Sequence, residues 1–258
     1  MTDMDDRKEE TLKTAAKKQG KEASVFKEAA LTIFWALIIA IVVRTFAYEP
    51  FNIPSGSMKP TLLIGDYIFV SKFSYGYSRY SLPGSLNLFD GRILGSEPER
   101  GDVIVFRKPP ENAEDYIKRL VGMPGDRIQL IEGVLHINGT AVKREKVAVD
   151  FDNENGFPRR LTHFRETLPN GVVHSIWEES DEYFTDNTRE YVVPEGHYFM
   201  MGDNRDHSSD SRAIGAIPYE NLIGRADIVF VSLDGAELFQ FWTWPWTMRF
   251  DRLFNGIE

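Results

Sequence analysis

The chain has 258 residues, of which 42% are hydrophobic and 13% aromatic, enough apolar surface for one main domain and a smaller appendage, and too much for a disordered chain. Its net charge of -9 is spread with both signs interspersed, so no basic stripe is offered to a phosphate backbone and nucleic acid is excluded as a partner. With no cysteine, the chain holds no disulfide, no thiolate nucleophile and no cysteine-built metal site.

Residues 1–28 mix Lys, Glu, Asp and Ala with almost no aliphatic bulk and read as a solvated tail. From Ala29 an uncharged run, Ala-Ala-Leu-Thr-Ile-Phe-Trp-Ala-Leu-Ile-Ile-Ala-Ile-Val-Val, leads through Arg44 to Tyr48. It is apolar all round and reaches the roughly 20 residues that cross a bilayer, so it predicts one transmembrane helix over 29–48. A cleaved signal would need a small-x-small site after the run, where Arg44, Phe46, Tyr48 and Pro50 stand instead. Lys13, Lys17, Lys18, Lys21 and Lys27 precede the run and only Arg44 and Lys59 follow closely. This asymmetry puts the amino end in the cytoplasm and residues 49–258 outside it.

The outward part reads as antiparallel β structure. Asp66–Ser71, Asp102–Arg107, Arg127–Ile131, Val134–Ile137 and Arg225–Ser232 are short β-branched or aromatic runs bounded by Gly, Asp and Pro. Asn138-Gly139 is a type I′ hairpin signal. From about 149 to 191 the chain turns polar and irregular and reads as an insertion. Leu238 to Phe250 is aromatic, too short and Pro-interrupted to span a membrane, and suits either an interface or a packing tail.

Three segments carry chemistry. Pro54-Ser-Gly-Ser-Met-Lys-Pro predicts a tight turn that exposes a hydroxyl, or a plain linker. Asp115-Tyr-Ile-Lys-Arg-Leu-Val as a strand puts Tyr116, Lys118 and Leu120 on one face. Burial there would lower the Lys118 pKa and make it a general base, the alternative being a lysine that snorkels at a sheet edge. Gly202-Asp-Asn-Arg-Asp-His-Ser-Ser-Asp-Ser-Arg is a dense polar loop that fails both the calcium-loop and the zinc patterns.

Taken in order after an apolar helix, these segments, with Gly65-Asp-Tyr-Ile-Phe-Val-Ser-Lys and Arg100-Gly-Asp-Val-Ile-Val-Phe, resemble the bacterial type I signal peptidases. The resemblance implies a mainly β fold with an antiparallel catalytic domain, an inserted subdomain and one amino-terminal transmembrane helix. It implies Ser57 as nucleophile and Lys118 as general base, Ser55 with the Ser57 N–H as oxyanion hole, Ser208 orienting the lysine, and Asp210–Arg212 as a structural ion pair. Phe51, Ile53, Pro54, Met58, Leu62, Ile68, Val105, Tyr116 and Ile117 match the shallow substrate pockets for small side chains. Lys59 and Lys72 are rival bases, Lys59 being expected to point to water. The partners implied are signal-peptide-bearing preproteins and the lipid bilayer of the cytoplasmic membrane, with no metal or organic cofactor. A specialised relative that matures one pilin-like substrate and a tethered domain that binds without cutting are the alternatives.

Overall fold

The computed structural model describes residues 26–82, 89–111, 113–153 and 158–258, so most of the tail expected over 1–28 lies outside the described residues. Helix α1, Phe26–Phe46, is long and apolar enough to cross a membrane, about 31 Å at 1.5 Å per residue. Its large side chains are exposed on all sides. Tyr48, expected at the end of the span, is instead the first residue of a strand and pairs with Ser71. Pro50 explains this, because proline disfavours helix for the residue before it and cannot donate within one.

The second unit, Thr45–Glu258, is mainly β. In chain order its strands are β1 Tyr48–Asn52, β2 Asp66–Ser71, β3 Tyr77–Ser78, β4 Arg92–Ile93, β5 Val103–Arg107, β6 Asp115–Gly122, β7 Arg127–Ile131, β8 Val134–Ile137 and β9 Thr140–Ala141. They continue as β10 Lys143–Asp152, β11 Arg159–Thr167, β12 Val173–Glu178, β13 Tyr191–Val192, β14 His197–Met201, β15 Ile217–Pro218, β16 Leu222–Ser232 and β17 Asn255–Gly256. The main sheet runs β1-β2-β16-β5-β6-β14-β15, with β17 on β16, and its named pairs are antiparallel.

The central strands are continuous apolar runs because both of their faces are buried. On β5, Val103 and Val105 join one core cluster with Ile53, Met58, Leu62 and Ile68, while Ile104 and Phe106 join another with Leu120 and Met200. On β14, Tyr198 and Met200 enter that second cluster, and Phe199 and Met201 a third with Val121, Ile128 and Leu135. Period-two alternation thus sends one strand into two cores. Asn138 and Gly139 join β8 to β9 with φ of 56° and 79°, the left-handed pair that a type I′ turn requires.

The segment expected to be irregular carries a sheet of its own, β10-β11-β12, beginning at Lys143 rather than near 149. Its first strand opens on four charged residues, Lys-Arg-Glu-Lys, and only then alternates Val147, Val149 and Phe151 with Ala148, Asp150 and Asp152, so the apolar period is too short to mark the strand against its polar surroundings. In the aromatic carboxyl-terminal segment, Phe239, Phe241, Trp242 and Trp246 are 62 to 84% exposed.

Buried charges tie these pieces together. Arg119 on β6 donates from Nε and Nη2 to the Asp203 carboxylate at 2.9 and 2.8 Å, both residues being fully enclosed. Arg205 reaches Glu166 on β11 with two bonds. Burial pushes the Glu166 carboxyl up, but Arg205 and His174 outweigh it and hold it at about 2. Breaking one partner of such a pair strands the other charge, at about 3–5 kcal/mol. Asp203→Leu should therefore lower the denaturant midpoint sharply, and Arg119→Met on top of it should recover part of the loss. A strictly additive double mutant would show that the pair does not act as a unit.

Candidate active site

Ser57 lies in a single 3₁₀ turn, Gly56–Met58, between Pro54 and Pro60. Lys118 lies on β6, paired with Ile104 of β5. The two residues are 61 positions apart, yet Lys118 Nζ stands 2.7 Å from Ser57 Oγ. The same nitrogen donates to the Ile117 carbonyl at 2.7 Å and sits 5.3 Å from the centre of the Tyr116 ring. Lys118 is 4% exposed and Ser57 9%. Burial disfavours the ammonium and lowers the Lys118 pKa from 10.5 to about 8, against the smaller upward pull of Asp210 and Asp203.

A cavity of about 520 Å³ opens onto this pair. Phe51, Ile53, Pro54, Ile68, Val105, Tyr116 and Ile117 line it with Ser55, Ser57 and Lys118. Met58 and Leu62 do not reach it; they are completely buried in the core cluster behind. Asn52, Glu114, Asp115, His207 and Ser209 also line the cavity, and sequence reasoning did not single them out as lining residues. His207 and Ser209 stand inside the polar loop that was flagged, so their place in that segment was the available signal. His207 Nε2 lies 2.7 Å from Glu179 Oε2, so a residue just after β12 holds a ring on the cavity wall.

The Ser55 hydroxyl stands 3.5 Å from Ser57 Oγ on the exposed side of the turn. The Ser208 hydroxyl is buried and makes no hydrogen bond with Lys118. It packs beside Gly202, where a Cβ would fall 2.2 Å from Ser208 Oγ and 2.5 Å from the Ser57 carbonyl. Only glycine lets the polar loop approach the turn this closely. Asp210 and Arg212 form a two-point ion pair, Nε and Nη2 each at 2.9 Å from the carboxylate. Asp210 also accepts from the Gly202 N–H at 2.9 Å.

The rival lysines are committed elsewhere. Lys59 does not point to water; its Nζ lies 3.0 Å from Asp152 at the end of β10, and both side chains are nearly enclosed. Lys72 is buried, with Nζ 2.7 Å from Glu49 and a bond to the Ser81 carbonyl. Of these three amines, Lys118 alone faces the serine hydroxyl.

The amine's burial has a measurable consequence for stability. Its folded pKa lies below the unfolded value, so between about pH 8 and 10.5 the unfolded chain holds a proton that the folded chain does not. Stability therefore rises with pH across that window. Lys118→Met should be more stable than the parent at pH 7 by about 3 kcal/mol, seen as a higher denaturant midpoint, and the gap should close towards pH 10.5. A gap that stays constant with pH would mean the amine is not buried.

The chain matches the family model described as "Signal peptidase, peptidase S26" over residues 26–231. A relative from Rickettsia typhi named "Signal peptidase I" is 44% identical over 223 residues, 82% of this chain and 83% of its own length. Another of that name from Rickettsia prowazekii is 46% identical over 209 residues, 77% of each chain. A crystal structure of a signal peptidase I from Enterococcus faecalis aligns with a TM-score of 0.30 at 25% identity, covering 50% of this chain and 97% of that one.

Proposed function

The chain belongs to the signal peptidase family, peptidase S26, hydrolases that remove signal peptides from preproteins, and on that premise we propose that Ser57 is its nucleophile and Lys118 its general base. The contact of 2.7 Å between a buried amine and a hydroxyl carries this reading. A serine hydroxyl is a weak nucleophile until a base takes its proton, and an amine serves only when neutral. At pH 7.5 a pKa near 8 leaves about a quarter of the amines neutral, against about one in a thousand for a free lysine.

The neutral Lys118 takes the proton as Ser57 Oγ attacks the scissile carbonyl. Charge that develops on the carbonyl oxygen is met by the Ser57 backbone N–H and by the Ser55 hydroxyl, whose position 3.5 Å from Oγ supports an oxyanion role. The Lys118 ammonium then returns the proton to the departing amine, and a water activated by the same base releases the serine ester. Asp210–Arg212 holds the polar loop against the turn, and Ser208 packs behind it.

The cavity walls Phe51, Ile53, Pro54, Ile68, Val105, Tyr116 and Ile117 leave shallow apolar space, which fits small residues of the Ala-x-Ala kind at the cleavage site. Helix α1 supports a membrane-anchored enzyme. With the lysine asymmetry around it, it supports a single pass of the cytoplasmic membrane, with a cytoplasmic amino end and a catalytic domain over 49–258.

Ser57→Ala and Lys118→Ala should each abolish cleavage of a preprotein, and Lys118→Arg should fail too because a guanidinium keeps its proton. Ser55→Ala should lower kcat by about 10² to 10³ with little change in KM. The acidic limb of the rate-pH profile should have its midpoint near 8, and Tyr116→Ser should move it upward by admitting water. Turnover by Lys118→Arg would rule out Lys118 as the base.

A further inference from the structure

The proposed chemistry asks the Ser57 hydroxyl to stay within reach of Lys118 Nζ, yet Ser57 sits on a turn only three residues long. The turn's own bonds are few: the Lys59 N–H donates to the Gly56 carbonyl at 3.1 Å and the Leu62 N–H to Met58 at 2.9 Å. What grips it from outside is Asn204. Its backbone N–H donates to the Ser57 carbonyl at 3.1 Å, and its side-chain Nδ2 donates to the Gly56 carbonyl at 3.0 Å. Asn204 is 1% exposed, so its amide is held in place from the buried side while it meets the half-buried Gly56 carbonyl.

The residue before it completes the connection. Asp203 accepts from Nε and Nη2 of Arg119, and Arg119 follows Lys118 on β6. Two consecutive residues of the polar loop thus hold the nucleophile turn with one side chain and the strand of the base with the other. The Asp203 carbonyl in turn accepts from the Trp177 N–H at 2.9 Å, which fixes the loop to β12.

We infer that Asn204 is a positioning residue that sets the distance between Ser57 Oγ and Lys118 Nζ through its amide bond to Gly56. This inference rests on Ser57 and Lys118 being nucleophile and base. Asn204 touches neither reacting atom and acts through the backbone of the turn. Its donor is what counts: Asp at this position keeps the shape but turns a carboxylate oxygen towards the Gly56 carbonyl, whereas Ala removes the donor and leaves the backbone bond.

The test uses the full chain in detergent with an Ala-x-Ala signal-peptide substrate. Competent sites are counted with an acylating serine reagent, and kcat is expressed per titrated site. A displacement of the order of 1 Å at a reacting group lowers rates about 100-fold. Asn204→Ala should therefore lose about 10- to 100-fold in kcat per site, with KM within about twofold of the parent and the acidic limb unmoved. Asn204→Asp should lose at least as much. A full kcat per site in both variants would overturn the inference, as would a loss confined to the number of titratable sites or to KM. Ser57→Ala is run beside them: if it cleaves, the reading of the dyad fails, whereas if it is dead and the Asn204 variants turn over fully, only the positioning role falls.

Discussion

An amine that must accept a proton near neutral pH has to be kept out of water, because water stabilises the ammonium. The fold answers this at Lys118, where β6 passes between two cores and leaves the side chain 4% exposed. Holding a charge there costs about 3 kcal/mol more than in water, which is the pKa difference expressed as energy. The rest of the proposed catalytic arrangement depends on that cost, since a solvated lysine 2.7 Å from Ser57 would stay protonated and could not serve as its base. Asp203 and Asp210 pull the other way, so their ion pairs with Arg119 and Arg212 matter twice. They neutralise each carboxylate and limit how far it can recharge the amine.

The site is assembled from distant parts of the chain by backbone and ionic ties rather than by its local sequence. The Ser57 turn is held by Asn204 and by the close approach of Gly202. The inserted sheet and the residue after it join the same region through contacts that include Lys59 with Asp152, Arg205 with Glu166, Trp177 with Asp203, and Glu179 with His207. The insertion is therefore part of the scaffold around the cavity, and through Glu179 it holds the wall residue His207, which belongs to the polar loop.

The elements that sequence periodicity marks are those with an apolar face. Asp66–Ser71, Arg127–Ile131 and Val134–Ile137 coincide with β2, β7 and β8, and the Asn-Gly hairpin sits where its dipeptide puts it. The three strands of the insertion are hard to read because their apolar residues are few and broken up by charged and polar ones, as in Lys-Arg-Glu-Lys at the start of β10 and Arg-Arg-Leu-Thr-His-Phe-Arg-Glu-Thr along β11. Lys59 was misread because its partner, Asp152, is 93 residues away, and a lysine two residues from a turn gives no local sign of burial. Met58 and Leu62 are pocket residues only by the family resemblance, and sequence cannot separate an apolar wall from the apolar core behind it, where both lie. Asn204 was invisible for a similar reason, since its role lies in where its amide points.

The central claim is that Lys118 is a buried amine whose lowered pKa leaves a substantial neutral fraction near neutral pH. It is tested most directly by following its own titration in the intact protein, with ¹³C-labelled lysine and NMR detection of the carbon next to the amine, assigned by comparison with Lys118→Met. The account predicts one lysine signal that titrates with a midpoint near 8, well below the roughly 10.4 of a free lysine. If no lysine signal titrates below about 10, the amine is solvated and the proposed base is wrong.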